Sequence, residues 1–376
     1  MSERILTQRE LNRALLARQL LLRRERIAVA RAIERVGALQ AQYPPSPHVA
    51  LFARLDAFTG AKLMRAVERR DVVKATLMRQ TLHLVSARDY LAYGGLIRDA
   101  RHAAMEKRAE RSNVVADVAR LSKELVQHTS DEPRSRPELL ELLGLPKLRV
   151  EDPQPWVVWY LLVGECELVH SPESTVWRRN TGGGKFAPAP AWLGRGGARG
   201  PDAAKHLVGR YLAAFGPATR ADLLQWTRLT LRALLPGLER LKLRTFRDEG
   251  GRELLDLPRA PLPDGDVEAP VRFLPMWDSV LLAHDDRTRI LPDEYRKTVI
   301  RRNGEVQQTF LVDGVVAGTW TYDGGRVTVD AFAPLPPRVR REVDDEARRV
   351  AAFHDAQSKS QKPPPTAATP ATSQTT

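Results

Sequence analysis

The sequence predicts an α+β fold: three tandem helix–helix–hairpin units followed by a small β-rich C-terminal domain. Three observations predict it. Two helical segments precede a strand or hairpin at three places along the chain. A stretch rich in Pro, Asp and Ala, residues 259–270, then reads as a linker. Beyond it, short β-branched or aromatic runs alternate with Asp-Gly turns. Helices followed by a two-stranded hairpin is the order of a winged helix. The expected divisions are 1–130, 131–200 and 201–260 for the three winged-helix units, 268–356 for the β-rich domain and 357–376 for a disordered tail.

In the first unit, Leu11, Leu15, Leu16, Leu20 and Leu22 lie mostly on one helical face, and apolar spacing continues from Ile27 to Val36. Thr59 starts a helix through Arg69; Val72–Met78 and Thr81–Val85 read as paired strands, and Ser86 caps the next helix. In the second, Ser135 caps Arg136–Leu143, Pro155–Val163 is helical, and Cys166–His170 is a strand whose partner is hard to find. In the third, Thr219, with Asp222 three residues on, caps a helix to Trp226, and Thr230 caps Leu231–Leu241. Leu243–Phe246 and Glu253–Asp256 form a hairpin across Asp248-Glu249-Gly250-Gly251. The last domain expects strands at 271–274, 299–300, 308–312, 315–320 and 326–329, closed by a helix from about Pro337 to His354. The tail carries no bulky apolar side chain.

Composition narrows the function. Lys and Arg number 59 against 46 Asp and Glu, a formal net charge of +13. That surplus fits a polyanionic partner, nucleic acid first, although an Arg-rich proteome of high coding GC content gives the same excess. Residues 9–35 hold eight arginines and three acids, which reads either as a DNA-facing helix or as plain solvated surface. Cys166 is the only cysteine, so an intrachain disulfide is excluded and a cysteine zinc site disfavoured. No apolar run reaches membrane-spanning length and no signal peptide is evident, so a soluble cytoplasmic protein is expected.

The segment Gly37-Ala38-Leu39-Gln40-Ala41-Gln42-Tyr43-Pro44-Pro45 carries the chemistry. The proline pair is expected to stop the preceding helix. Gln40 and Gln42 then share one face of an extended segment, with both amides aimed into one cavity. Either they hold a polar reactant, or they cap the helix end and the following loop.

Several segments together resemble the AlkZ-like and YcaQ-like winged-helix DNA glycosylases that unhook interstrand crosslinks. They are Leu11–Gln19, Leu39-Gln40-Ala41-Gln42, Met78–Val85, Arg210–Thr219, Phe273-Leu274-Pro275 and His284-Asp285-Asp286-Arg287. The resemblance runs to about His354. It implies three winged helices wrapped as a C-shaped scaffold around duplex DNA, and hydrolysis of the N-glycosidic bond of N7-alkylated purines, crosslinks included. It also implies that Gln40 and Gln42 are the catalytic pair, matching the AlkZ branch, since the YcaQ branch has Asp at the second position. Alkylation at N7 makes the purine a cationic leaving group, so the enzyme need only position water against an oxocarbenium-like sugar. An amide carbonyl can do that although it is no general base.

The resemblance also offers Arg79, Thr81, His83, His284, Asp286 and Arg287 as DNA contacts. His83 reads equally as a half-buried strand histidine, and the His284–Arg287 segment as a loop held by ion pairs. Met276-Trp277-Asp278-Ser279 departs from the acidic-aromatic-Asp-Asn run usual in the family, which bears on the contacts made there. Thr181–Phe186 lacks the spacing of a phosphate loop and reads as a flexible loop. No metal or other cofactor is expected, since His284-Asp285-Asp286 has no second histidine cluster beside it. Trp156 and Trp159, at i, i+3, read as core. The expected protein is a monofunctional, metal-free glycosylase, a monomer acting on double-stranded DNA that carries alkylated purines or crosslinks. No lysine that could serve a lyase lies near the motif in sequence. The rival is a non-catalytic winged-helix regulator, which would read bases with a recognition helix; a family member without activity is a third reading.

Overall fold

The structure is a computed structural model; it describes residues 4–114, 116–146, 153–177 and 184–360. Thr7 opens the first helix, Gln8–Arg18, by accepting from the Glu10 amide at 3.2 Å, while the Glu10 carboxylate accepts from the Thr7 amide at 2.8 Å. Leu11, Leu15 and Leu16 face inward. The second helix, Val29–Arg35, ends before Gly37, whose φ of +86° turns the chain into the short strand Leu39–Gln40. The proline pair does not stop a helix, contrary to the sequence reading. It starts one: Pro45–Arg54 begins at Pro45, where the missing amide proton costs nothing because a first-turn N–H has no intrahelical partner.

The expected hairpin Val72–Thr76 with Leu82–Ser86 is present, and Ser86 Oγ caps the long helix Ala87–Arg111 at the Asp89 amide. The second unit has the capped helix Arg136–Leu142, the helix Pro153–Glu165 and the strand Leu168–His170. Its missing strand is Lys185–Pro188, so Lys185 and Phe186 are not loop as expected. Thr181, Gly182 and Gly183 lie outside the described residues. Both hairpins belong to one six-stranded sheet, joined where Lys74 pairs with His170.

In the third unit the hairpin Arg244–Asp248 with Glu253–Asp256 follows helices Arg220–Thr227 and Leu231–Glu239, and the N-terminal strand Ile5–Leu6 adds to it in parallel. Residues 259–270 are pinned rather than loose. Arg13 Nε donates to Val267 O at 2.6 Å, and Arg18 Nη2 to Pro261 O at 2.8 Å. Arg18 also grips Asp256 through two bonds, both side chains fully buried. Two of the eight arginines in 9–35 are therefore interior, and the basic-face reading fails for them.

The C-terminal sheet runs Arg272–Leu274, Thr309–Val312, Val315–Asp323 and Arg326–Ala331, all antiparallel. The expected strand at Val299–Ile300 is instead the end of the helix Asp293–Val299, and Ile300 makes only an isolated bridge to Val306. The closing helix extends to Ser360, so residues 357–360 are not tail, and Gln357 is buried. Residues 361–376 lie outside the described residues. Phe273, Phe310, Trp320 and Phe353 of this domain share a core with Leu20, Ile33, Leu51 and Leu63 of the first unit. That shared core fixes the domain against the strand that carries Gln40.

Candidate active site

Four side chains marked by the sequence meet at one edge of the six-stranded sheet. The strand Leu39–Gln40 pairs with Leu82–Ser86 so that Gln40 lies opposite His83. Gln40 is buried and Gln42 exposed. Gln40 Nε2 donates to Gln42 Oε1 at 2.5 Å, and Arg79 Nη2 donates to Gln40 Oε1 at 2.6 Å. A guanidinium can only donate, so Arg79 fixes which way the Gln40 amide points. The two amides thus bond each other rather than facing a common cavity. Gln42 is left with its NH2 group and one carbonyl lone pair toward the surface.

Arg79 Nη2 also reaches to 3.4 Å from His83 Nε2, while His83 Nδ1 lies 3.0 Å from Thr81 O. Nδ1 therefore donates to the carbonyl and Nε2 accepts. Burial, reinforced by Arg79, pushes the His83 pKa down to about 3, so the ring is neutral at physiological pH. The chain Gln42–Gln40–Arg79–His83 contains no carboxylate.

Arg79 is placed by strained backbone. Arg79 and Gln80 have φ of 51° and 59° in the turn between the two strands. Two consecutive left-handed residues that are not glycine cost about 1–3 kcal/mol each, which the surrounding packing must offset. Arg79 Nη1 is buried without a partner, and burial lowers its pKa to about 10, with Arg228 and Arg287 adding to the effect. Burial also lowers Arg287, with Arg296 and Arg228 adding to the effect and Asp285 and Asp222 opposing it. These guanidiniums repel one another, so an anion among them is favoured. No motif marks Arg228, which ends the helix Arg220–Thr227 in a left-handed conformation. The packing of that helix against the Arg79 turn brings it there.

Of the other candidates, Thr81 lies in the same turn, beside His83, while His284 and Asp286 belong to a separate loop. Thr81 Oγ1 donates to Met78 O at 3.2 Å, inside the turn. His284 is buried, its Nε2 2.9 Å from Phe215 O. Asp286 accepts from Arg252 Nη2 and Thr288 Oγ1, each at 2.6 Å, and so ties its loop to the third hairpin. Trp159 is core, whereas Trp156 is half-buried beside a cavity. Among the described residues, no group of three or more His, Cys, Asp or Glu is arranged to hold a metal ion.

Two features went unread in the sequence. Arg54 binds Asp278 through bonds of 2.9 and 2.8 Å, both side chains 1% exposed, and Ser279 Oγ donates to Ala38 O at 3.2 Å. Ser279 therefore holds the backbone just before the glutamines, and Asp278 the helix just after them. Lys74 is a buried lysine in the same sheet, its pKa lowered by burial to about 8. Its neighbour Ala75 lies opposite His83, so Lys74 projects from the other face, where Nζ donates to Ser174 O at 2.7 Å. It is no nucleophile for this site.

The structure is similar to that of the Streptomyces sahachiroi DNA glycosylase AlkZ, with a TM-score of 0.76 and 22% sequence identity over 93% of this chain and 97% of that one. No curated protein matches the chain by sequence. No helix among the described residues is long and apolar enough to cross a membrane. The pattern of the family described as DNA glycosylase AlkZ-like matches residues 33–353, from the helix before the glutamine pair to the closing helix, and the chain belongs to that family.

Proposed function

We propose that this protein is a monofunctional DNA glycosylase that hydrolyses the N-glycosidic bond of N7-alkylated purines, including those in interstrand crosslinks, using Gln40 and Gln42. The observation that carries the reading is the fixed amide pair. Arg79 orients Gln40, Gln40 orients Gln42, and Gln42 stands exposed with acceptor and donor capacity to spare. Such a group holds a water against C1′ of the sugar without taking its proton in advance. An amide pair and a neutral His83 provide neither a strong base nor an acid for the leaving group. That limits the substrate to a base already cationic, as N7 alkylation makes it. The Arg79, Arg228 and Arg287 cluster supplies phosphate contacts, and the net charge of +13 the wider attraction. The placement of Lys74 on the far face supports water rather than a lysine as nucleophile. In this reading the three helix–hairpin units are winged helices forming a C-shaped scaffold around the duplex, and the protein acts as a cytoplasmic monomer without metal or cofactor.

A panel of single lesions in one duplex tests the proposal. N7-methylguanine and an N7-linked crosslink should be released, and uracil and 8-oxoguanine left in place. Efficient excision of uracil would demand an acid or base the site lacks, and would overturn the assignment.

A further inference from the structure

A second cavity lies on the other side of the strained turn. It has a volume of about 320 Å³ and is lined by Thr76, Gln80, Arg101, Arg108, Trp156 and Tyr160, among others. Helices Ala87–Arg111 and Pro153–Glu165, which pack on each other, form its walls. The proposed reaction at the glutamine pair uses none of these side chains.

We infer that this cavity binds a nucleotide unstacked from the duplex beside the lesion, its base against the Trp156–Tyr160 wall and its phosphate at Arg101 and Arg108. The inference rests on the chain being a DNA-acting member of its family, and adds a second contact site to it.

The aromatic wall comes first. Trp156 and Tyr160 are one helical turn apart, their ring centroids 6.1 Å apart and their planes 21° from parallel. Tyr160 is 38% exposed, so the wall is open to a planar ligand from solvent. Arg136 lies over the Trp156 ring at 5.3 Å and makes that end of the wall cationic.

Charge is the second observation. Arg101 donates through Nη1 to Thr76 O at 2.7 Å, and among the described residues the ionisable groups that act on it are Tyr160 and Tyr90, not a carboxylate. Burial lowers its pKa to about 10, still far above neutral, so a poorly solvated cation faces the cavity without a counter-charge among the described residues. Arg108 is exposed and has no ion-pair partner among the described residues. An aromatic platform beside uncompensated guanidiniums suits a ligand both planar and anionic, and a nucleotide combines the two.

The third observation is position. Arg79 and Gln80 are consecutive: Arg79 bonds Gln40, and Gln80 lines the cavity. Their left-handed backbone points neighbouring side chains into the two sites. The exposed Gln80 amide both donates and accepts, and suits the edge of an unstacked base. Holding a flanking nucleotide out of the stack would open the duplex next to the sugar that Gln42 addresses.

Photocrosslinking tests this without relying on catalysis. The full chain is mixed with a duplex carrying a tetrahydrofuran abasic analogue, with 5-iodouracil placed in turn at each flanking position on both strands. After irradiation, the crosslinked peptide is identified by mass spectrometry. The expected result is a crosslink from one flanking position to Tyr160 or Trp156. Tyr160→Ala should weaken binding of this duplex on the order of tenfold at unchanged thermal stability, and Tyr160→Phe should restore it. Crosslinks confined to other peptides, or equal affinity for the Tyr160→Ala variant, would overturn the inference. In a parallel assay on a duplex carrying N7-methylguanine, base release in the absence of this crosslink would remove the second site and leave the glycosylase reading intact. The crosslink without base release would do the reverse.

Discussion

Replacing Gln42 by Ala separates catalysis from folding more cleanly than replacing Gln40. Gln42 is exposed, and among the described residues its side chain bonds only Gln40, at 2.5 Å. Losing a single solvent-accessible hydrogen bond costs about 0.5–1.5 kcal/mol of stability, and Gln40 can turn its freed N–H to water. Losing a group that positions the reactant costs about 2.7–4 kcal/mol of barrier, a factor of about 10² to 10³ in rate. The kinetic loss should therefore far exceed the stability loss. Gln40→Ala does not give this separation. It removes the acceptor of Arg79 Nη2 while Arg79 Nη1 already lacks one, so a buried cation is left less satisfied. The assay is single-turnover release of N7-methylguanine from a duplex, with thermal melting and DNA affinity measured on the same preparations. Gln42→Ala should release the base at least about a hundredfold more slowly, with affinity within about twofold and melting nearly unchanged. Release at the parent rate would refute the role given to Gln42. A loss of affinity as large as the loss of rate would show that Gln42 holds DNA rather than water.

Three further outcomes follow from the same structure. Asp278→Ala leaves Arg54 as an unpaired buried cation and should lower unfolding stability by about 3–5 kcal/mol in urea titrations; a change under about 1 kcal/mol would mean that water or Gln19 compensates. Duplex affinity should fall about a hundredfold or more between about 50 and 200 mM salt, as four or more phosphate contacts give, and a flat response would argue against a DNA partner. Burial pulls His48 and His354 down to about 4 and His83, His170 and His284 to about 3. These rings stay neutral in the fold but protonate once unfolded below pH about 6.5, so the unfolded chain binds more protons and stability falls as pH drops from about 6.5 toward 4. Each contributes up to about 1.4 kcal/mol per pH unit in that window, and a melting temperature that is constant from pH 7 to 5 would contradict the burial.

What the sequence made legible was local. Ser86, Ser135, Thr219 and Thr230 each cap the helix expected of them, because a cap is decided within three residues. The Asp313-Gly314 turn holds for the same reason, with φ of 47° and 80°. Lys185–Pro188 was hidden because its pairing with Leu168–His170 spans a glycine-rich stretch and ends in proline. Val299–Ile300 suggested a strand through β-branching, yet the acidic Asp293 and Glu294 open a helix that runs into Val299. At the site, the glutamine pair was visible, but not what orients it. Arg79 reaches Gln40 only because two residues adopt a conformation their side chains disfavour, which no propensity reports. The partners of Arg18 and Arg54 lie over 200 positions away, so neither buried pair showed as more than a charge count.

Incubating the protein with a duplex containing one N7-methylguanine, then separating the products, distinguishes a glycosylase from a protein that only binds DNA. The expected products are free N7-methylguanine and a strand that stays intact until hot alkali cleaves it at the abasic site. Tight binding with the methylated base still in the duplex would contradict the glycosylase assignment and leave a DNA-binding protein without this chemistry.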